Sequence, residues 1–111
     1  MNRPYLFSSL VARRGKHPFS EKQTIKEARE HLLKNFNTNI FFLIKKRYSW
    51  MNRYINEFDR GVELGCGTGI SELHIKSKNF ELTDIMRHDW ISKIVDAHKM
   101  PYEDSSLDFI I

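Results

Sequence analysis

The sequence predicts an α/β fold: two N-terminal helices, then a partial doubly wound sheet of about four parallel strands. Three observations point there. Apolar residues recur at helical spacing through residues 20–58. A short strand pattern then enters a glycine-rich turn between Gly61 and Ile70, G-V-E-L-G-C-G-T-G-I. Beyond the turn, brief apolar runs return at short intervals, two of them closing on an aspartate, as strands joined by crossovers do. The chain divides accordingly into a helical cap region, 1–60, and a glycine-turn domain, 61–111.

Met1 to Pro18 shows no period and is expected to be an irregular lead-in. Ser20 is expected to cap the first helix, with Gln23 completing a capping box. Ile25, Ala28, Leu32 and Phe36 form its apolar stripe, while Lys22, Lys26, Arg29 and Glu30 take the wet side. Asn35, Asn37 and Asn39 interrupt the pattern. Ile40, Ile44, Tyr48, Met51, Ile55 and Phe58 form the stripe of a second helix, with Lys45, Lys46, Arg47 and Arg53 off it. Asp59-Arg60-Gly61 ends it.

Val62 and Leu64, alternating with Glu63, read as a short buried strand. Gly65, Gly67 and Gly69 allow a sharp turn and close approach of backbone to a ligand. Ser71 to Lys76 is expected to start a helix ending near Ser77-Lys78-Asn79, whose N-terminus would favour a polar or anionic group. Phe80 to Ile85 reads as the second strand, with Asp84 near its carboxyl end. Trp90 to Val95 reads as the third, with Asp96-Ala97 at its end. Only 11 residues, Ile85 to Val95, separate the two aspartates, too few for a helical crossover. Met86-Arg87-His88-Asp89 is therefore expected to be a loop, bringing His88 and Trp90 to the same sheet edge. Leu107 to Ile111 would be the fourth strand.

At 111 residues, 41% hydrophobic and 29% charged, the chain is one globular domain at most, with enough apolar residues to exclude disorder. Cys66 is the only cysteine, which excludes an internal disulfide and fits a reducing, cytoplasmic compartment. Inside the glycine turn its small side chain is expected to pack rather than to act as a nucleophile. The longest apolar run, Ile40 to Ile44, is far below the ~18 residues of a membrane span. Residues 1–60 carry 13 Lys and Arg against 5 Asp and Glu; residues 61–111 carry 5 against 9. A basic N-terminal half suits an anionic substrate, nucleic acid or a lipid surface, although a solvated helix face is the simpler reading. His17, His31, His74, His88 and His98 are scattered without zinc-ligand spacing, so no metal site is expected. His88 and His98 are expected at the surface.

A dinucleotide fingerprint G-x-G-x-x-G would need a small residue where Ile70 stands. Here the third glycine falls one residue early, giving E-x-G-x-G-x-G from Glu63 to Gly69. This resembles motif I of the class I S-adenosylmethionine-dependent methyltransferases (type 11-like), down to the wording E-L-G-C-G-T-G. Asp96-Ala97 is similar to the family's D-A. Met100 to Ile111, M-P-Y-E-D-S-S-L-D-F-I-I, resembles its L-P-F-x-D-x-S-F-D-x-V-x segment. The resemblance spans the chain from about Gly61 onward.

It implies a Rossmann-like fold, S-adenosyl-L-methionine as cofactor, and methyl transfer to a small-molecule acceptor. Glu63 would order the turn and the methionine end of the cofactor, while Gly65, Cys66, Gly67 and Gly69 would let backbone approach it. Asp84 would accept hydrogen bonds from the ribose hydroxyls, with Ile85 on the adenine face. Asp96 would accept from the adenine amino group and the Ala97 N–H would donate to the ring. The helices before motif I resemble the cap over small-molecule active sites, where two or three of Phe41, Phe42, Tyr48, Trp50 and Tyr54 would line a pocket. No catalytic base stands out. A nucleic-acid acceptor and a non-catalytic S-adenosylmethionine-binding module are the other readings. The family's sheet has further strands, so these residues are expected to be a partial domain or a protomer completed by a partner chain.

Overall fold

The computed structural model describes residues 21–35 and 38–111. The lead-in expected over Met1 to Pro18, the Ser20 cap and the stripe position Phe36 lie outside the described residues. Helix α1 spans Glu21–Lys34. Its half-buried side is Ile25, Arg29, Leu32 and Leu33, whereas Ala28 is exposed. The inward face is thus rotated from the expected stripe, and Arg29 leaves the wet side because its guanidinium finds partners in the glycine turn.

Helix α2 spans Asn39–Asn52. Thr38 caps it: extended backbone lets Oγ1 accept the Phe41 N–H at 3.2 Å. The helix stops at Asn52, short of the expected Phe58. The Asn52 side chain instead donates to the His74 carbonyl at 2.7 Å and accepts the Lys76 N–H at 3.0 Å. Ile55 is still buried beyond the helix end, but Phe58 is exposed.

Four strands follow: β1 Arg60–Glu63, β2 Asn79–Asp84, β3 Lys93–Ile94 and β4 Phe109–Ile110. All pair in parallel, in the order β3-β2-β1-β4. The fold is therefore α/β, two helices ahead of a four-stranded parallel sheet. β3 and β4 are shorter than the sequence suggests. Asp89 and Trp90 form a turn, and the ladder reaches Ser92 only through its N–H to the Leu82 carbonyl at 2.8 Å. Beside β1, Asp108 donates its N–H to the Arg60 carbonyl, at 2.7 Å, and takes the Arg60 N–H on Oδ2, at 2.8 Å. These paired bonds fix the register of β4.

From β1 the order runs outward through β2 to β3, then reverses to place β4 on the other side of β1. Such a reversal opens a crevice at the carboxyl ends of the strands, where α/β sheets bind ligands. Between β1 and β2 lies only a four-residue 3-10 turn, Ile70–Leu73. This corrects the helix expected over Ser71 to Lys76. The two bonds from Asn52 catch the chain at His74 and Lys76 and turn it back toward β2. Between β2 and β3 there is no helix, as the short spacing required.

The helices and the sheet share one core. Tyr48, Ile55, Ile70 and Ile75 are buried together, with Leu32, Leu33, Met51, Phe80, Phe109 and Ile111 packed against them. A smaller cluster of Cys66, Leu82 and Ile91 meets Phe80 and Trp90. Gly61 makes room for the sheet's aromatic pair: a Cβ there would lie 2.0 Å from the Phe109 ring, which stacks on Phe80 at 5.8 Å.

Candidate functional site

The site is the turn leaving β1, and its peptide groups are tied from β2, from the loop that follows β2 and from α1. Thr83, fully buried, donates its hydroxyl to the Glu63 carbonyl at 2.6 Å. Its own carbonyl accepts the Cys66 N–H at 2.9 Å. Asp84 Oδ2 accepts the Gly67 N–H at 2.9 Å, and Oδ1 accepts the Met86 N–H at 3.0 Å. On the other side, Trp90 Nε1 donates to the Gly67 carbonyl at 2.8 Å. Arg29 Nη1 donates to the Thr68 carbonyl at 2.7 Å.

The three glycines of the turn have φ of 65°, 54° and 65°, in the left-handed region. They differ in what surrounds them. A Cβ on Gly65 or Gly67 would meet nothing within 4 Å, whereas one on Gly69 would lie 2.5 Å from Trp90 and 2.9 Å from Leu82. Gly69 is therefore a packing position, and Gly65 and Gly67 leave bare backbone facing open space. That open face is where a ligand can come closest to the main chain.

Glu63 ends β1 half-buried, and its carboxylate accepts the Ser71 hydroxyl. Burial pushes its carboxyl above the ordinary range; the Ser71 bond and Arg47 act against that, and Asp84 adds to it. Burial likewise raises the phenol of Tyr48, with the Glu63 carboxylate contributing. The Cys66 thiol is pushed up to about 12, first by burial and then by Asp84 and Glu63. At neutral pH it is a packed thiol rather than a nucleophile.

Asp84 is buried at the carboxyl end of β2, and Ile85 beside it is 68% exposed, an apolar side chain presented at the strand edge. The Val95 N–H reaches the Asp84 carbonyl at 3.0 Å, so β3 leaves its final residues next to Asp84. Asp96 and Ala97 follow in an exposed turn, where Asp96 Oδ1 accepts the His98 N–H at 2.9 Å. Gly65, Gly67, Asp84, Ile85, Asp96 and Ala97 thus line one carboxyl edge. Gly67 and Asp84 touch directly, and Asp96 joins them through the backbone of β3.

His88 departs from its expected surface position: it is 2% exposed. Its ring stacks on Trp90 at 4.7 Å with 3° between the planes, and Nε2 has no partner among the described residues. Arg29, Ser71, Thr83 and Trp90 all shape the turn; Trp90 is expected at this sheet edge from the short link between β2 and β3, whereas Arg29, Ser71 and Thr83 are not readable as site residues. Apart from the glycine spacing, their contacts span 8 to 39 positions and have no local signal.

An apolar hollow of about 260 Å³ is lined by Trp50 and Met51 at the end of α2, by Tyr54 and Ile55 just beyond it, and by Phe109, Ile110 and Ile111. The Ile111 carbonyl accepts the Leu64 N–H at 2.9 Å, which connects this hollow to the residue preceding Gly65. No protein-family model, no curated protein and no solved structure matches the chain.

Proposed function

We propose that the chain binds S-adenosyl-L-methionine at the glycine turn and serves methyl transfer to a small-molecule acceptor in the cytoplasm. The observation that carries this reading is the pairing of an open, left-handed Gly65–Gly67 face with a carboxylate edge formed by Asp84 and Asp96. A pyrophosphate ligand would call for a helix N-terminus after the turn. Here a four-residue 3-10 turn stands in its place; Glu63, Glu72 and Asp84 lie around it, and the cation among them, Arg29, is already bonded to the Thr68 carbonyl and beside Glu72. Hydroxyl and amino donors on an uncharged nucleoside, and a cationic sulfonium, suit such an edge better than phosphates do.

The residues present fit the cofactor. Gly65 and Gly67 would lie against its amino-acid end, with the Ser71-bonded Glu63 carboxylate ordering that part of the turn. The free lone pairs of Asp84, whose two oxygens each hold one backbone N–H, would accept the ribose hydroxyls. Ile85 would cover one adenine face, with Asp96 and Ala97 at its polar edge. The cofactor supplies an activated methyl group; the chain supplies orientation, which accounts for a large part of the acceleration in such a displacement. The apolar hollow next to Leu64, with its aromatic lining, supports a small, largely apolar acceptor.

A second reading is favoured by α2, which exposes Trp50 and Phe42 among Lys45, Lys46, Arg47 and Arg53 without an acidic residue. Cations interleaved with aromatics suit a single-stranded RNA acceptor. RNA affinity that falls steeply with salt would favour it. No helix among the described residues is long and apolar enough to cross a membrane.

Calorimetric titration with S-adenosylhomocysteine, against NAD as control, tests the proposal. Binding of the first alone, weakened in Asp96→Ala, supports it. Preference for NAD, or no heat with either, overturns it.

A further inference from the structure

We infer that Arg29 and Trp90 are positioning residues that lock the carbonyl side of the glycine turn and thereby set the shape of its ligand-facing side. Only the binding consequence rests on the cofactor reading above.

A turn with three glycines in five residues has much conformational freedom to lose on ordering. From the β2 side, Thr83 and Asp84 hold the N–H groups of Cys66 and Gly67. That leaves the successive carbonyls of Gly67 and Thr68, which need donors from elsewhere. Trp90 Nε1 takes the first at 2.8 Å and Arg29 Nη1 the second at 2.7 Å. The two donors also brace each other, with the guanidinium carbon 4.8 Å from the Trp90 ring centre. Arg29 Nη2 lies 3.6 Å from Glu72, in the 3-10 turn that follows.

Trp90 is wedged against Gly69 and stacked on the buried His88, so it has little room to move. Arg29 has 17% of its side chain exposed. The clamp therefore couples three separate pieces of chain: α1, the turn after β1 and the loop between β2 and β3. A turn held in one conformation before the ligand arrives gives up less freedom when it binds.

The test reads the ligand-free protein first. Amide hydrogen exchange at Cys66, Gly67 and Gly69 is followed by NMR in wild type, Arg29→Lys, Arg29→Ala and Trp90→Phe. Lysine keeps the charge without the planar fork, and phenylalanine keeps a ring without the donor. Each loss of a clamp bond should speed exchange at the three amides about tenfold while those of β2 stay protected. Affinity for S-adenosylhomocysteine should fall about tenfold in Arg29→Ala and less in Arg29→Lys. Because both residues hold one turn, the double variant should lose less than the product of the single losses.

Unchanged exchange at the three amides overturns the clamp whatever the ligand does. Faster exchange with undiminished affinity overturns its positioning role. If wild type binds no S-adenosylhomocysteine, the cofactor reading fails, and exchange still decides whether Arg29 and Trp90 hold the turn.

Discussion

Asp84 Oδ2 takes the backbone N–H of Gly67 at 2.9 Å, so the end of β2 holds the turn that leaves β1. Oδ1 takes the Met86 N–H at 3.0 Å, and one buried carboxylate thereby orders the segments on either side of it. Asp84→Asn offers one oxygen where two are used, and turns an NH2 group toward the other backbone donor. An unpaired buried donor costs about 1–3 kcal/mol. Urea unfolding at pH 7 should show a loss of that size. An unchanged midpoint would mean that the turn is held by other bonds.

The glycines of the turn should separate into two kinds. Alanine at Gly65 bears only the left-handed backbone, a strain of about 1–2 kcal/mol. Alanine at Gly69 bears the same strain and also collides with Trp90 and Leu82, adding about 1–3 kcal/mol of overpacking. Thermal melts should therefore rank Gly69→Ala below Gly65→Ala. Ligand titrations should show Gly65→Ala impaired in binding out of proportion to its stability, since its methyl group fills the open face. Equal melts for the two variants would contradict the packing role of Gly69.

What could be read in advance follows from how local each feature is. The glycine turn, the aspartate closing β2 and the helix-free link to β3 are written in adjacent residues, and the parallel sheet follows from them. Arg29 is different. A cation off the apolar stripe counts as solvated when residues are sorted by period, and its carbonyl partner lies 39 positions away. His88 is buried by the face of Trp90, which periodicity does not register. The stretch Ser71 to Lys76 has an acceptable helical composition, yet tertiary bonds from Asn52 stop it after a single turn. The same asparagine ends α2 ahead of its apolar stripe.

Cys66 should be unreactive in the folded protein despite lying in a turn beside open space. Burial and the carboxylates of Asp84 and Glu63 hold its thiol at about 12, so almost none is thiolate at pH 8. Iodoacetamide should label the native chain orders of magnitude more slowly than the urea-unfolded one. Comparable rates would place the thiol outside the cluster with Leu82 and Ile91.

His74 should make the protein acid-sensitive. Its ring lies flat on Tyr48 at 5.5 Å, and Nε2 is buried without a partner among the described residues. Burial, then Lys45, lowers its pKa below the ordinary 6.5. As pH falls past that value, the unfolded chain takes up a proton that the folded chain still refuses. The unfolded state then binds more protons, so this contribution to stability is present above about 6.5 and lost as pH drops toward the folded pKa. His74→Phe keeps a ring against Tyr48 and removes both the orphaned nitrogen and the titration. At pH 8, where histidine is neutral in both states, the variant should gain about 1 kcal/mol from the removed unpaired group. At pH 5 the gain should be larger, because only the parent loses stability to the protonated unfolded chain. Urea unfolding of both proteins at the two pH values measures the difference, and a gain that stays constant would assign the acid sensitivity to another group.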